Sequence, residues 1–213
     1  MPTKKKTADS AIDLPIKSFK SEDAFAKWLE SHHTKSRGIW LRIAKKDSGL
    51  SSVTYAQALD VALCYGWIDG QKRPYDETTW LQRFTQRSPR SVWSKINTGK
   101  VQTLIESGRM RPAGLAAVES AKADGRWESA YQPSKNAEIP ADLQAALDAN
   151  PKARAFFETL RGANRYAVIY RVSTAKKPET RARRIADFVE RLARGETLFG
   201  PAKLAADQKR AKP

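Results

Sequence analysis

The hydrophobic pattern of this chain changes from mixed strands and helices to helices alone, and this change limits the folds it can adopt. Alternating apolar residues in RGIWLRIAKK (37–46) predict a half-buried strand. TTWLQRFTQR (78–87) predicts a second strand, in a hairpin with the extended segment WIDGQKRPYD that precedes it. Apolar spacing elsewhere is helical, most clearly over 178–194. Because strands and helices do not alternate as βαβ units, we expect an α+β fold. It would have a small antiparallel sheet packed by helices, followed by an all-helical C-terminal subdomain.

Basic and turn-rich segments indicate where the domains begin and end. The segment RWESAYQPSKNAEIP has two prolines and almost no periodicity, which is typical of a linker. We therefore expect a basic flexible tail over 1–17, an α+β domain over 18–130, a linker over 131–139, a helical subdomain over 140–200 and a second basic tail over 201–213.

The net charge of the chain is its most informative compositional property. Lysine and arginine number 39 against 23 acidic residues, a formal charge of +16 at pH 7. Such a charge favours polyanionic partners, namely nucleic acid, anionic lipid headgroups or phosphorylated ligands; the alternative is an ordinary solvated basic surface. The N-terminus lacks the apolar core of a signal peptide, and no run of 18 apolar residues occurs. We therefore expect no transmembrane segment and a cytoplasmic location.

Residues with catalytic or metal-binding chemistry are few. His32 and His33 are adjacent, and Cys64 is the only cysteine, so we expect no metal site and no cofactor. Neither a GxGxxG pattern nor a P-loop occurs, and no catalytic constellation is recognisable. Within ALCYGWIDG, Cys64 is expected to be a buried packing residue and Gly66 to end a helix. Helix capping leaves Asp69 unexplained.

Cations and aromatic rings are interleaved from Thr78 to Ile105, a stretch without an acidic residue. This combination suits anionic ligands or single-stranded nucleic acid, through phosphate contacts and stacking. The alternative is that the rings belong to the core and the cations to a solvated strand face. With no catalytic or metal-binding residue among them, the candidate ligand-binding residues are Trp67, Asp69, Lys72, Arg73, Arg83, Arg87, Arg90, Trp93 and Lys95.

Four motifs occur in order: ALCYGWIDGQKRPYD, QRFTQRSPRSVWSKINTGKV, LIESGRMRPAGLAAVE and NRYAVIYRVSTAKKPETRARRIADFVERLARGE. In this order and spacing the chain resembles the bacterial YdeI/OmpD-associated (bacteriocin-protection) family from about Phe19 to Gly200. The resemblance implies a role in protection against bacteriocins or cationic peptides and an association with an outer-membrane porin. It implies no set of catalytic residues.

Two functional hypotheses follow. The first is a non-enzymatic cytoplasmic protein that acts in stress or cationic-peptide tolerance and binds an anionic ligand or nucleic acid, with any protein partner unknown. The alternative is a small enzyme or small-molecule binder with a pocket at CYGWIDG, where Asp69 is a base or hydrogen-bond anchor and Cys64 lines the wall. The second hypothesis requires a common cavity, so the residues to locate in a structure are Trp67, Asp69, Arg83, Arg87 and Trp93.

Overall fold

The computed structural model describes residues 14–200, which form two compact units. Unit 1 contains every strand of the described residues, whereas unit 2 is helical. The predicted α+β class with a helical C-terminal part is therefore confirmed. Within the described residues, unit 1 comprises 14–93 and 97–129, and unit 2 comprises 94–96 and 130–200.

A four-stranded sheet forms the centre of unit 1, in the order β1-β2-β4-β3. Strand β4 pairs antiparallel with both β2 and β3, so the predicted hairpin of β3 and β4 is confirmed. Strand β1 instead runs parallel to β2, which makes the sheet mixed and not purely antiparallel. The strands are β1 Ile16–Ser18, β2 Ile39–Ala44, β3 Trp67–Pro74 and β4 Thr79–Gln86.

Strand β1 lies where the N-terminal tail was expected to continue to residue 17. Residues 1–13 of that tail, and the C-terminal tail over 201–213, lie outside the described residues. From Leu14 onward the chain is held in place, because Leu14 is buried and Pro15 accepts a hydrogen bond from the N–H of Trp40 at 3.0 Å.

Eight α-helices are present in residues 14–200, and polar side chains cap the N-termini of the first two. The side chain of Ser21 accepts a hydrogen bond from the N–H of Ala24, and Thr54 forms a capping box with Gln57. The helices are α1 Glu22–His32, α2 Tyr55–Cys64, α3 Lys95–Glu106, α4 Pro112–Ala123, α5 Ala141–Asp148, α6 Pro151–Thr159, α7 Gly162–Ser173 and α8 Pro178–Ala193.

Helices α1 and α2 cover one face of the sheet with aromatic contacts. The ring centroids of Phe25 and Phe84 lie 5.9 Å apart, and those of Tyr55 and Trp80 lie 6.2 Å apart. Strand β2 alternates strictly, with its odd-numbered side chains buried on this face and its even-numbered ones half-buried on the other. The apolar alternation predicted for 37–46 is thus confirmed, and the opposite face of the sheet presents Trp40 and Arg42.

Unit 2 has its own apolar core. Helix α8 contributes Phe188 and Leu192 to it, while Ile185 and Val189 pack at its edge. This arrangement is the one predicted from the i, i+3, i+4, i+7 spacing over 178–194. Helices α5, α6 and α7 contribute further enclosed members, which include Leu143, Leu147, Phe157 and Val172.

Candidate functional site

Four side chains form a basic and aromatic surface on the sheet face opposite α1 and α2. We name this set, Trp40, Arg42, Arg73 and Arg83, the basic sheet face. The strand register brings its members together. Trp40 of β2 pairs with Arg83 of β4. Leu81 of β4 pairs with Arg42 of β2 on one side and with Arg73 of β3 on the other. The guanidinium carbon of Arg73 lies 4.0 Å from the centroid of the Trp40 ring. This cation–π contact joins β3 to β2 across the intervening strand β4. Leu81 of β4, which lies between Arg73 and Trp40, is only 1% exposed.

A β-bulge in β3 determines which basic side chain reaches this surface. The pairing of β3 with β4 shifts between Asp69 and Lys72, so β3 contains one extra residue there. The extra residue reverses the alternation beyond the bulge, and Arg73 therefore shares a face with Trp40. Lys72 lies on the opposite face, where its ammonium nitrogen is 4.2 Å from the centroid of the Trp80 ring.

The basic sheet face has little neutralising charge. The four strands contain one acidic residue, Asp69, and it lies on the other face of the sheet. Arg42 forms an ion pair with Asp76 of the hairpin loop at 3.1 Å. Within residues 14–200, Arg73 and Arg83 form no ion pair with a carboxylate. Two positive charges therefore remain uncompensated on this surface.

Hydrogen bonds hold two of the arginines in place. Arg83 donates from Nη1 to the side-chain oxygen of Gln71 at 3.0 Å. Arg42 donates from Nε to the hydroxyl of Thr79, also at 3.0 Å. Hydrogen bonds from Thr79, above all, lower the pKa of Asp76 to about 2, so this carboxylate is ionised beside Arg42 at neutral pH.

Two of the predicted site residues, Trp67 and Asp69, face the helices. Trp67 is fully buried in the core, and its ring N–H donates to the carbonyl of His33 at 3.0 Å. Asp69 is half-buried and accepts a hydrogen bond from the hydroxyl of Tyr55 at 2.8 Å. Both side chains thus link the hairpin to the helical layer, and neither belongs to the basic sheet face.

The remaining predicted residues follow strand β4. Arg87 stacks on Trp93, with its guanidinium carbon 3.4 Å from the ring centroid, and Trp93 is buried. Arg90 is exposed in the turn between these two. Lys95 belongs to unit 2, where its backbone N–H donates to the carbonyl of Tyr131 at 2.9 Å. Of the nine predicted residues, the basic sheet face therefore contains two, Arg73 and Arg83.

Trp40 and Arg42 are the functional candidates that the sequence analysis missed. The alternation over 37–46 predicts their strand but assigns it no role beyond the fold. The signal was present, however, because both residues occupy the outward positions of a strictly alternating strand. An aromatic ring and a cation two residues apart on such a strand share one face.

A cavity of about 280 Å³ is lined in part by Cys64. Burial raises the pKa of the Cys64 thiol, so the thiol is protonated at neutral pH. Asp69 does not line this cavity, whose charged walls come from Glu22, Asp23, Arg109 and Arg111. The two residues that the enzymatic hypothesis places in one pocket are therefore apart.

The described residues contain neither a cluster of metal-ligating side chains nor a helix that could span a membrane. Across residues 14–200, no three side chains of histidine, cysteine, aspartate or glutamate lie close enough to hold a metal ion. In the same stretch, no helix has both the length and the apolar character that crossing a membrane requires.

The fold and this surface define an α+β protein with a helical C-terminal unit and a basic sheet face. Residues 136–195, within that helical unit, match the family described as "Bacteriocin-protection, YdeI or OmpD-Associated", which confirms the resemblance over this stretch of the chain. Residues 17–117 match a separate domain of unknown function (DUF8412). The basic sheet face and the motifs CYGWIDG and GRMRPAG lie in this second match. Neither a curated protein nor a solved structure matches the chain.

Proposed function

We propose that this chain is a non-enzymatic binding protein and that its anionic, phosphate-bearing ligand lies on the basic sheet face. The observation that carries the proposal is that Arg73 and Arg83 have no carboxylate partner among the described residues, while Trp40 and Gln71 fix their positions. Arginines held in a fixed orientation are well suited to bind phosphate oxygens. The net charge of +16 adds a long-range attraction for the same class of ligand.

The family match supplies the cellular context of the proposal. Its printed description links the family to bacteriocin protection. We place the chain in the cytoplasm, where ligand binding by the domain over 18–130 would support tolerance of bacteriocins or other cationic peptides. The domain over 140–200 would supply the family-specific part of that role.

The enzymatic alternative at CYGWIDG has less support. Asp69 bonds to Tyr55, and the cavity beside Cys64 has no contribution from Asp69. A catalytic base needs access to a substrate in a shared pocket, which this pair of residues does not provide.

Binding to inorganic polyphosphate tests the proposal with the simplest polyanion. We expect the full chain to bind it with an affinity that falls steeply with salt. Replacing either cation, by Arg73→Gln or Arg83→Gln, should weaken binding several-fold and lower the salt slope by about one.

Lys72→Gln is the matched control, because it removes one positive charge from the adjacent position on the other face of the sheet. It should leave binding nearly unchanged. If Lys72→Gln weakens binding as much as Arg73→Gln, net charge alone attracts the polyanion and the proposed surface is wrong.

A further inference from the structure

We infer that the ligand of the basic sheet face is single-stranded nucleic acid, an inference that rests on the proposed function and narrows it. Aromatic rings next to the cations distinguish this surface from a simple phosphate site. The guanidinium carbon of Arg73 lies 4.0 Å from the centroid of the Trp40 ring. That of Arg42 lies 5.3 Å from the centroid of the exposed Tyr75 ring. Unpaired bases stack on such rings while neighbouring cations contact the phosphates.

Exposed apolar side chains lie at both edges of the sheet, on either side of the basic sheet face. Ile16 of β1 pairs with Trp40 and is 43% exposed, and Tyr75 at the end of β3 is 48% exposed. Apolar groups at both edges of the sheet suit the faces of bases, which polyphosphate lacks. The strands contribute no carboxylate to this face, and the neighbouring Asp76 is paired with Arg42, so a phosphate backbone would meet little repulsion there.

The width of the sheet favours a single strand over a duplex. Neighbouring strands lie about 4.8 Å apart, so the outer strands of four are separated by about 14 Å. The major groove of B-DNA is about 12 Å wide and admits a helix or a two-stranded ribbon. A four-stranded face does not enter it, and paired bases leave no free surface for stacking on Trp40.

Three probes of comparable charge test the inference on the full chain: a labelled oligothymidylate, a duplex of half its length, which has the same number of phosphates, and inorganic polyphosphate. Fluorescence anisotropy should show the tightest binding for oligothymidylate, and saturation with it should quench part of the tryptophan fluorescence. Trp40→Leu should abolish that part of the quenching and weaken binding on the order of ten-fold. Trp40→Phe should remove the same quenching but keep most of the affinity, because a ring remains.

Trp80→Phe is the matched control. The ring of Trp80 also has a cation over it, that of Lys72, but this pair lies on the opposite face of the sheet. It should leave both affinity and quenching by the oligonucleotide unchanged. If circular dichroism shows that Trp40→Leu is unfolded, Arg73→Gln replaces it and must weaken oligonucleotide binding more than Lys72→Gln does.

The outcomes separate the inference from the proposed function. Equal affinity for all three probes, with no effect of Trp40→Leu on a folded protein, overturns the inference and leaves a general polyanion-binding protein. Failure to bind any of the three at low ionic strength overturns both. Tighter binding of the duplex than of the single strand overturns the inference alone.

Discussion

Gly114 lies so close to Cys64 that a β-carbon at position 114 would overlap the Cys64 carbonyl oxygen. The approach is reciprocal, because a β-carbon at Gly66, where φ is +72°, would lie 2.9 Å from the carbonyl oxygen of Ala113. The N–H of Arg111 also donates to the Cys64 carbonyl, at 3.1 Å. The end of α2 and the start of α4 thus meet backbone to backbone. Packing therefore accounts for these glycines of the CYGWIDG and GRMRPAG motifs.

Replacing Gly114 with alanine tests this contact. The new methyl group would push α4 away from the end of α2, so we expect Gly114→Ala to lower the free energy of unfolding by roughly 1–3 kcal/mol. Urea denaturation followed by circular dichroism measures the change. The matched control is Gly99→Ala in α3, where nothing lies within 4 Å of an added β-carbon.

Gly99→Ala should stabilise the protein by up to about 1 kcal/mol, because alanine is the better helix former. If Gly114→Ala has the same sign and size of effect, the close approach of α2 and α4 does not exist in solution.

The thiol of Cys64 should be unreactive in the folded protein. It is 4% exposed, and burial raises its pKa, so the thiolate that reacts with iodoacetamide is scarce near neutral pH. Mass spectrometry should show much slower alkylation of the folded chain than of the chain unfolded in urea. Equally fast alkylation of the two would indicate an activated thiol and would favour a reactive site at CYGWIDG.

Asp76 should make stability depend on pH in the acid range. Its folded pKa of about 2 lies below the value of about 3.9 for an unfolded aspartate, so the ionised group stabilises the folded state above the unfolded pKa. That stabilisation is lost as the pH falls from about 4 through about 2. The difference in unfolding free energy between the natural chain and Asp76→Asn should shrink over this window, as measured by urea denaturation at several pH values.

Glu77→Gln provides the control, because it removes a carboxylate from the next position of the same hairpin loop. This variant keeps the hydrogen bonds to Asp76, so it should lose stability over the window as the natural chain does. A parallel pH dependence for both variants would mean that general loop charge, and not the hydrogen bonds from Thr79, produces the effect.

Local alternation explains how much of the sheet could be predicted from sequence. In TTWLQRFTQR the period of two places Phe84 toward the helices and Arg83 on the opposite face, and the structure agrees. Strand β1 escaped prediction because a three-residue strand carries almost no periodic signal. Its position depends on parallel pairing with residues more than 20 positions away, such as Trp40.

The candidate site could be predicted only in part, because a β-bulge determines which side chains of β3 lie on the basic sheet face. Without the extra residue in β3, Lys72 would share a face with Trp40 and Arg73 would face the helices. In WIDGQKRP, Gly70 indicates a local irregularity but not its length. The stacking of Arg73 on Trp40 therefore depends on a shift of one residue, which only tertiary pairing determines.

In unit 2, Asn164 should hold the chain that follows α8. This side chain is 9% exposed, donates to the carbonyl of Phe199 at 3.0 Å and accepts from the N–H of the same residue at 2.9 Å. Asn164→Ala would leave both backbone groups of Phe199 without this partner, so we expect a loss of roughly 1–3 kcal/mol in unfolding free energy. Hydrogen exchange should also accelerate at residues 197–200.

Arg154→Gln is the control, because it removes only exposed ion pairs and should change the free energy of unfolding by less than about 1 kcal/mol. If the two variants have equal effects and exchange at 197–200 is unchanged, Asn164 does not anchor this segment.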